Sequence, residues 1–390
     1  MTRRVLWSGV VAAALVNVVS SSPIAAQAPA TFKSALHDYR LVKVADGFVN
    51  PWGIAFLPGG DMLVTERPGR LRIVRKGQLL PTPVAGVPAV VASGQGGLLD
   101  VVVHPNFAQN RYVYLTYSKP VTGGATTALY RATLQNDALV DGKDLFVAET
   151  KGRPGHFGSR IAFDGKGHLF MSVGERQIAP EGDLTKHPAQ DLSNHHGKII
   201  RLNEDGSVPS DNPFVNRAGA KPEIWSYGHR NPQGLLVHPT TGDVWETEHG
   251  PQGGDELNLI QPGKNYGWPV VGYGVNYGPG KAIHASTMGT GFENPKTFWV
   301  PSIATSGLIV YTGDKFPQWK GNVFAGGLAG QRVSRVTLTG QSAEQSENLV
   351  RNQGRVRDVR QGPDGFIYLA IDSQEGKPTP ILRMEPVVRR

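Results

Sequence analysis

A histidine beside glycines is a candidate residue for moving a proton. His156 lies in the segment Gly-His-Phe-Gly-Ser-Arg at residues 155–160, directly before a run of apolar residues. An unperturbed imidazole titrates near neutral pH, so a histidine at the mouth of a strand can serve as a general base. The alternative is a loop histidine without a chemical role, which is what most loop histidines are.

Guanidinium groups in two later segments predict a site for an anion. Residues 226–234 read Ser-Tyr-Gly-His-Arg-Asn-Pro-Gln-Gly, in which Arg230 offers paired planar donors and Asn231 adds both a donor and an acceptor. Arg355 and Arg357 are two residues apart, so on a strand both side chains face the same side. A surface strand with ion pairs is the alternative for this second pair.

A glycine-rich acidic loop offers oxygen atoms of the kind that Ca²⁺ binds. Residues 248–258 hold Glu248, Asp255 and Glu256 among turn-forming glycines. Carboxylates and turn carbonyls are both calcium ligands, although the spacing here is not that of an EF-hand. A solvated acidic loop is the alternative.

Bare glycines and aromatic rings mark two further segments. Gln95 lies in the loop Gly-Gln-Gly-Gly at residues 94–97, where a ligand or another backbone can come close, or where the chain simply turns tightly. Residues 265–269 read Asn-Tyr-Gly-Trp-Pro and are followed by Tyr273 and Tyr277. Their flat rings suit the stacking of a planar molecule or a sugar, or the packing of a long loop.

The elements that must position these segments follow from a repeated pattern of strand, turn, strand and polar or acidic stop. Four clear copies cover residues 53–66, 160–175, 235–248 and 359–372. Two looser copies cover residues 99–117 and 309–338, the second with its turn predicted at Gly326-Gly327. Alternating apolar residues around glycine-containing turns indicate hairpins, and long helices are not indicated.

Six copies predict an all-β fold, a six-bladed β-propeller with four-stranded blades. The alternating stretch at residues 39–44 could complete the last blade and close the ring. A two-sheet sandwich or separate β domains are the alternatives. In a propeller, function belongs to the irregular segments between blades, where the residues described above lie.

The N-terminal residues have the pattern of a secretory signal peptide. Arg3 and Arg4 precede an apolar stretch at residues 5–19, and Ala26-Gln27-Ala28 is a cleavage pattern, so we expect removal of residues 1–28 and a single propeller domain over residues 29–390. The apolar stretch is shorter than the roughly 20 residues of a membrane-spanning helix, although an anchor is the alternative. A periplasmic protein without a membrane span is therefore predicted.

Composition excludes several classes of function. The formal net charge is +8, but the basic residues are scattered, which argues against nucleic acid as a partner. The chain has no cysteine, so thiolate metal sites and cysteine nucleophiles are excluded. The sequence also lacks the dinucleotide-binding glycine motif, the phosphate-binding loop, the serine-hydrolase elbow and the zinc-protease motif.

Taken together and in this order, the segments resemble the soluble glucose/aldose sugar dehydrogenases that depend on pyrroloquinoline quinone (PQQ). The likeness runs from about Val49 to Met384, and its most specific parts are residues 228–234, residues 250–258 with 265–269, and residues 355–358. The resemblance implies the same six-bladed propeller and, as substrate, an aldose. His156 would take the proton of the anomeric hydroxyl while a hydride passes to the quinone, which gives a lactone and electrons for an unidentified acceptor.

The resemblance also implies which residues hold the cofactors. Arg230 and Asn231 would lie at the quinone end of PQQ, and Arg355 and Arg357 would bind its carboxylates. Further contacts with PQQ would come from Gln95, Tyr277, Leu328 and Ala329. Ca²⁺ would bridge PQQ to the carbonyls of Gly250 and Pro251, and a further structural Ca²⁺ would bind Glu256 and the backbone oxygen of Tyr266.

Departures from the glucose-specific members favour the broad-specificity aldose branch. Gly155 stands where those members have an aspartate before the base, so the base must be oriented from elsewhere, and Ala329 replaces a lysine near the cofactor. Two alternatives remain, a Ca²⁺-dependent lactonase propeller and a non-catalytic propeller that binds a sugar or a protein. The sequence leaves a monomer and a dimer both open.

Overall fold

The computed structural model describes residues 30–278 and 280–387 and is built almost entirely of β-strands. Six separate sheets, five of four strands and one of five, form the blades of a propeller. The predicted signal peptide at residues 1–28 lies outside the described residues. Among the described residues, no helix is both long and apolar enough to cross a membrane.

The chain enters through two strands that belong to the last blade, β1 (Thr31–Phe32) and β2 (Tyr39–Val49). Blade 1 then contains β3 (Pro51–Phe56), β4 (Met62–Glu66), β5 (Arg70–Arg75) and β6 (Gln78–Leu79). Blade 2 contains β7 (Leu98–Val103), β8 (Tyr112–Val121), β9 (Gly124–Gln135) and β10 (Ala138–Val147). Blade 3 contains β11 (Ile161–Phe163), β12 (His168–Val173), β13 (Lys198–Asn203) and β14 (Ile224–Tyr227).

The second half of the chain repeats this arrangement. Blade 4 contains β15 (Pro232–Val237), β16 (Val244–Glu248), β17 (Asp255–Ile260) and β18 (Thr297–Trp299). Blade 5 contains β19 (Thr305–Val310), β20 (Val323–Gly327), β21 (Arg332–Thr339) and β22 (Ser342–Leu349). Blade 6 adds β23 (Arg355–Gln361), β24 (Ile367–Asp372) and β25 (Pro378–Pro386) to the two N-terminal strands.

Helical turns in the described residues are short and connect strands. The α-helix α1 (Phe107–Asn110) has four residues, and three 3-10 turns have three residues each. These turns lie at Leu184–Lys186, Pro188–Gln190 and Pro317–Trp319.

Apolar packing lies between the blades rather than in one central core. Six clusters of buried apolar side chains each join two neighbouring blades, so that every blade is covered on both faces. Consequently the second strands of blades 1 and 4, β4 and β16, are buried along their whole length. Such burial removes a large apolar area from water, which is the main favourable term in folding.

The N-terminal strand closes the ring, as the alternation at residues 39–44 predicted. Strand β2 pairs antiparallel with β25 from the C-terminal end, with Leu41 opposite Met384 and Phe48 opposite Thr379. The first strands of the six blades also contact one another in succession, and β23 returns to contact β3. The sheet order confirms the six-bladed prediction.

One predicted turn is wrong. Gly326 and Gly327 are the last two residues of strand β20, and the turn to β21 is formed by residues 328–331 instead. A Cβ atom at Gly326 would lie 2.4 Å from the Ser306 hydroxyl and 3.1 Å from a Val356 methyl group. Glycine is needed there because the first strands β19 and β23 come close to β20, not because the chain turns.

Buried ion pairs join three blades around the central axis. The Arg160 guanidinium lies 3.2 Å from Asp100 and 3.0 Å from Asp358, and Arg360 contacts the same two carboxylates at 2.8 and 2.9 Å. Arg160 also donates to the backbone oxygen of Arg357 at 3.0 Å. This channel cluster, Asp100, Arg160, Asp358 and Arg360, therefore supports the strand that carries two of the predicted site residues.

Candidate active site

Two cavities lie side by side where the loops lead into the first strands of the blades. Each has a volume of about 500 Å³, and both have Gln95 and His249 in their walls. We call them the arginine cavity, which Arg355 and Arg357 line, and the histidine cavity, which His156 lines. The segments that the sequence marked as irregular therefore converge on one region.

His156 is held as a buried side chain with one ring nitrogen engaged. Its Nδ1 lies 2.5 Å from Oε1 of Glu175, and its backbone N–H donates to Oε1 of Gln95 at 2.8 Å. No hydrogen bond to Nε2 occurs within the described part of the chain, so this nitrogen is left for the histidine cavity. An imidazole oriented through Nδ1 with Nε2 free has the arrangement of a general base.

Glu175 is the residue that orients His156, and sequence reasoning did not single it out. Its second oxygen accepts a hydrogen bond from the backbone N–H of Ile178 at 2.6 Å. Glu175 follows strand β12, so the His156 side chain is oriented from the far end of the hairpin. An aspartate in place of Gly155 is therefore not needed to orient it. The side-chain amide of Gln177 fills the space at that glycine, since a Cβ atom on Gly155 would lie 2.4 Å from the Gln177 Cδ.

Burial changes the protonation of this pair. Burial, followed by the nearby guanidinium groups of Arg230 and Arg176, lowers the pKa of His156 well below its usual value. Burial also raises the pKa of Glu175 to about 7. The form with an ionised Glu175 has the proton of the neutral imidazole on Nδ1 and the lone pair on Nε2, and this is the form that can accept a proton from a ligand.

The arginine cavity carries the two arginines that the sequence placed on one strand face. Arg357 donates to Oε1 of Gln233 at 3.0 Å, and burial lowers its pKa to about 10. Leu328 and Ala329 line the same cavity beside Trp52, an indole that is 3% exposed. Cationic groups next to a flat ring fit a planar anion.

Arg230 reaches toward the glycine-rich acidic loop, while Asn231 supports the loop that follows the base. The Arg230 guanidinium donates to the Gly250 carbonyl at 2.8 Å and lies 5.1 Å from the Trp268 ring centre. Asn231 is buried, and its Oδ1 accepts from the Gly158 N–H at 3.2 Å. Arg230 lines the histidine cavity. Asn231 lines neither cavity, but it contacts Gly158 and Gln233 in the wall of the arginine cavity.

Tyr277 lies at the rim of the histidine cavity and is 66% exposed. Gln95 lies between the two cavities and lines both. The predicted contacts Gln95, Tyr277, Arg230, Leu328, Ala329, Arg355 and Arg357 are therefore all cavity-lining residues.

The four residues predicted to bind calcium line a single small cavity. Gly250, Pro251, Glu256 and Tyr266 lie around a space of about 20 Å³. This is enough room for one water molecule or one ion. The Tyr266 hydroxyl donates to the Leu259 carbonyl at 2.6 Å, so the phenol is already engaged. Two sites were predicted from the sequence, and the structure brings both residue sets to the same space.

Three carboxylates beside this cavity share a single amide donor. The amide nitrogen of Asn258 lies 3.1–3.3 Å from Glu246, Glu248 and Glu256, yet it has only two hydrogens to donate. Burial, together with the charge of Glu248, raises the pKa of both Glu246 and Glu256 well above the usual value. Oε1 of Glu246 and Oδ1 of Asn258 have no partner. Unpaired buried oxygens suit a hard cation such as Ca²⁺.

The repeated pattern could have indicated Glu175, which sequence reasoning missed. The four clear copies end at equivalent acids, Glu66, Glu175, Glu248 and Asp372. Each pairs with a basic side chain: Glu66 with Arg72, Glu175 with His156, Glu248 with His229, and Asp372 with Arg355. A recurring acid at the same place in four blades thus marks the end of the propeller that carries the cavities.

Comparison with known proteins identifies the family to which this chain is similar. A family model described as glucose/sorbosone dehydrogenase matches residues 48–383. The aldose sugar dehydrogenase YliI of Escherichia coli is 43% identical to this chain over 348 residues, which cover 87% of this chain and 91% of that protein.

Solved structures agree with the sequence matches. The crystal structure of the soluble aldose sugar dehydrogenase (Asd) from Escherichia coli in the apo-form aligns with a TM-score of 0.84 and 41% identity, covering 90% of this chain and 100% of that one. The PQQ-bound form of the aldose sugar dehydrogenase (Adh) from Streptomyces coelicolor aligns with a TM-score of 0.72 and 29% identity, covering 89% and 98%.

Proposed function

This chain belongs to the glucose/sorbosone dehydrogenase family, and on that premise we propose that it is a periplasmic, PQQ-dependent aldose sugar dehydrogenase. The proposed reaction removes a hydride from the anomeric carbon of an aldose and a proton from its anomeric hydroxyl, which leaves a lactone. The electrons then go to an external acceptor.

One observation carries the proposal. A buried histidine, oriented by a carboxylate and left with a free Nε2, lies in a cavity that shares walls with a second, cationic cavity. A sugar hydroxyl next to a planar anionic cofactor needs this combination. A lactonase would have no use for Arg355 and Arg357, and a non-catalytic propeller would have no use for the His156–Glu175 pair.

The residues of the arginine cavity and of the small cavity around Gly250 fit the proposed cofactors. PQQ is a planar tricarboxylate, and the arginine cavity offers guanidinium groups, an indole and the small side chain of Ala329. The carbonyl of Gly250 uses one lone pair for Arg230 and keeps the other, and Pro251 lines the same small space. When bound, PQQ supplies a hydride acceptor and Ca²⁺ a Lewis acid.

His156 is the proposed catalytic residue. Its Nε2 takes the proton of the anomeric hydroxyl, and Glu175 stabilises the imidazolium that forms. Gln95 accepts a hydrogen bond from the backbone N–H of His156 and borders both cavities. It would therefore fix the position of His156 relative to the bound cofactor. Arg230 and Asn231 would lie at the quinone end, Arg355 and Arg357 would hold carboxylates, and Leu328 and Tyr277 would add contacts.

Two further parts of the proposal concern the metal and the substrate range. Glu256 and the backbone oxygen of Tyr266 are proposed to hold a structural Ca²⁺, a role that the unpaired oxygens beside Glu256 support. Gly155 and Ala329 leave the site without an aspartate and a lysine found in glucose-specific members, so we propose a broad range of aldoses. The signal peptide at residues 1–28 is the basis for the proposed periplasmic location.

Reconstitution tests the proposed function. Protein purified without cofactor is mixed with PQQ and Ca²⁺, and reduction of an artificial electron acceptor is measured with several hexoses, pentoses and disaccharides. We expect reduction that depends on PQQ, on Ca²⁺ and on an aldose, with the matching lactone or aldonic acid as product. An absence of reduction with every sugar, in protein that has bound PQQ, would contradict the proposal.

A further inference from the structure

Arg67 is a third guanidinium group in the wall of the arginine cavity. It lies in the turn after strand β4, is half-buried, and lines the cavity together with Arg355 and Arg357. Arg67 forms no salt bridge with any acid among the described residues. Glu66 precedes it in the sequence, but the Glu66 carboxylate pairs with Arg70 and Arg72 instead. Arg67 therefore keeps its charge uncompensated.

The charges that line the arginine cavity do not balance. Three guanidinium groups face one carboxylate, that of Asp372, which lies 3.8 Å from Nε of Arg355. After burial, repulsion from Arg67 is among the causes that lower the pKa of Arg355 and of Arg357. The Nε of Arg355 also lacks a hydrogen-bond partner. Half-buried like charges repel one another unless an anion lies between them, so the cavity fits a ligand with more than one negative charge.

The glycine loop is built around Arg67. The Arg67 guanidinium donates to the carbonyl of Gly94, and its own carbonyl accepts from the Leu98 N–H at 3.1 Å. A Cβ atom on Gly97 would lie 1.9 Å from the Arg67 oxygen, so the close approach requires glycine at this position. The loop thus fixes Arg67 on one side and presents Gln95 to both cavities on the other.

We propose that Arg67 is a third cationic ligand for the carboxylates of the bound cofactor. This inference rests on the proposed function, because it takes PQQ as the anion. PQQ has three carboxylates, and Arg355 and Arg357 account for two. Ala329 removes the lysine that the glucose-specific members have near the cofactor, and Arg67 supplies a cation from blade 1 rather than from blade 5.

Equilibrium binding of PQQ to apoprotein, followed by quenching of tryptophan fluorescence and by dialysis, tests the role of Arg67. In Arg67→Gln we expect affinity about 10- to 100-fold weaker than in the wild type, which is what losing one charge-assisted contact costs. Arg67→Lys keeps the charge without the paired donors and should fall between the two. Wild-type affinity should also fall more steeply with added NaCl than that of Arg67→Gln, because one ionic contact is missing from the variant.

Matched variants separate this inference from the proposed function. Arg217→Gln removes the same charge from an exposed position beside Phe214 and should bind PQQ as the wild type does. Arg355→Gln should bind weakly, and apo Arg67→Gln should unfold at the wild-type temperature. If the wild type binds PQQ and Arg355→Gln does not, but Arg67→Gln binds as tightly as the wild type, the assignment of Arg67 is wrong and the proposed function stands. A wild type that does not bind PQQ overturns both.

Discussion

The His156–Glu175 pair joins residues from the two ends of one hairpin. His156 precedes strand β11, Glu175 follows strand β12, and the pairing of Ile161 with Met171 brings them together. Backbone groups hold both members, since the Ile178 N–H binds Glu175 and the N–H of His156 binds Gln95. The proposed base is thereby preorganised before a ligand enters.

Loss of the Glu175 charge should slow the reaction without emptying the site. In Glu175→Gln the amide can still contact Nδ1, but it no longer stabilises an imidazolium or selects the tautomer with a free Nε2. We expect kcat to fall about 10²–10⁴-fold while the Kd for PQQ stays within about 3-fold of wild type. Steady-state kinetics and PQQ titration check both values. An unchanged kcat would mean that Glu175 does not serve the base.

The pH dependence of kcat/KM should report the same pair. The base-competent form has lost one proton from the pair, and the pKa of Glu175 is raised to about 7. Activity should therefore rise with pH through about 7 and level off above it, since the pair is a single titrating unit. In Glu175→Gln only His156 remains, whose pKa is lowered, so the acid limb should move below pH 6.5. A limb at the same pH in both proteins would contradict this account.

At the scale of elements, the loop between β16 and β17 links the two cavities to the buried carboxylates. Its Gly250 and Pro251 and the following strand residue Glu256 surround the same small space. Close contacts between Gly250 and the backbone of Gly253 and Gly254 explain the glycine-rich sequence, because a Cβ atom on Gly250 would lie 2.2 Å from a carbonyl oxygen. The loop therefore folds back on itself.

Calcium should stabilise the protein through this loop. At a concentration 100-fold above its Kd, a ligand that binds only the folded state adds about 2.7 kcal/mol of stability. We expect Ca²⁺ to raise the midpoint of thermal unfolding and a chelator to reverse the effect. In Glu256→Gln most of the increase should disappear, whereas the exposed control Glu344→Gln should keep it. An equal increase in all three proteins would show that Ca²⁺ acts elsewhere.

The hairpins could be predicted from sequence because each is a local pattern of alternation around a turn. Five of the six copies correspond to the first two strands of a blade, whereas the copy at residues 309–338 covers mainly the second and third strands of blade 5. Arg355 and Arg357 line the same cavity, as their spacing predicted. The pairing of His156 with Glu175 and the approach of Arg67 to Gly94 are contacts between separate segments. The local alternation of apolar and polar residues does not predict such contacts. The Gly326-Gly327 prediction was wrong for the same reason, since a close contact between blades resembles a turn in sequence.

At the scale of the whole molecule, stability depends on closure of the ring. Strand β2 holds Phe48 in the apolar cluster between blades 6 and 1, together with Ile54 and Tyr368. The first and last parts of the chain are therefore joined by backbone pairing and by a shared core. Opening this contact would expose an edge strand and the covered face of blade 1.

Truncation of one side chain tests the importance of closure. Phe48 is fully buried, so Phe48→Ala should lower the free energy of unfolding by about 3–5 kcal/mol through lost burial and a residual cavity. Lys43→Ala, on the same strand with a mostly exposed side chain, should change it by less than about 0.5 kcal/mol. Urea titration gives both values. Equal effects would mean that the closing strand contributes no core.

The central claim is that this propeller oxidises aldoses with His156 as the base, and single-turnover reduction of bound PQQ tests it most directly. Protein loaded with PQQ and Ca²⁺ is mixed with an aldose in the absence of an electron acceptor, and the cofactor spectrum is followed in the wild type and in His156→Ala. We predict rapid reduction in the wild type, and in the variant tight PQQ binding with reduction at least about 100-fold slower. Equal rates in the two proteins, or no reduction in wild type that has bound PQQ, would contradict the account.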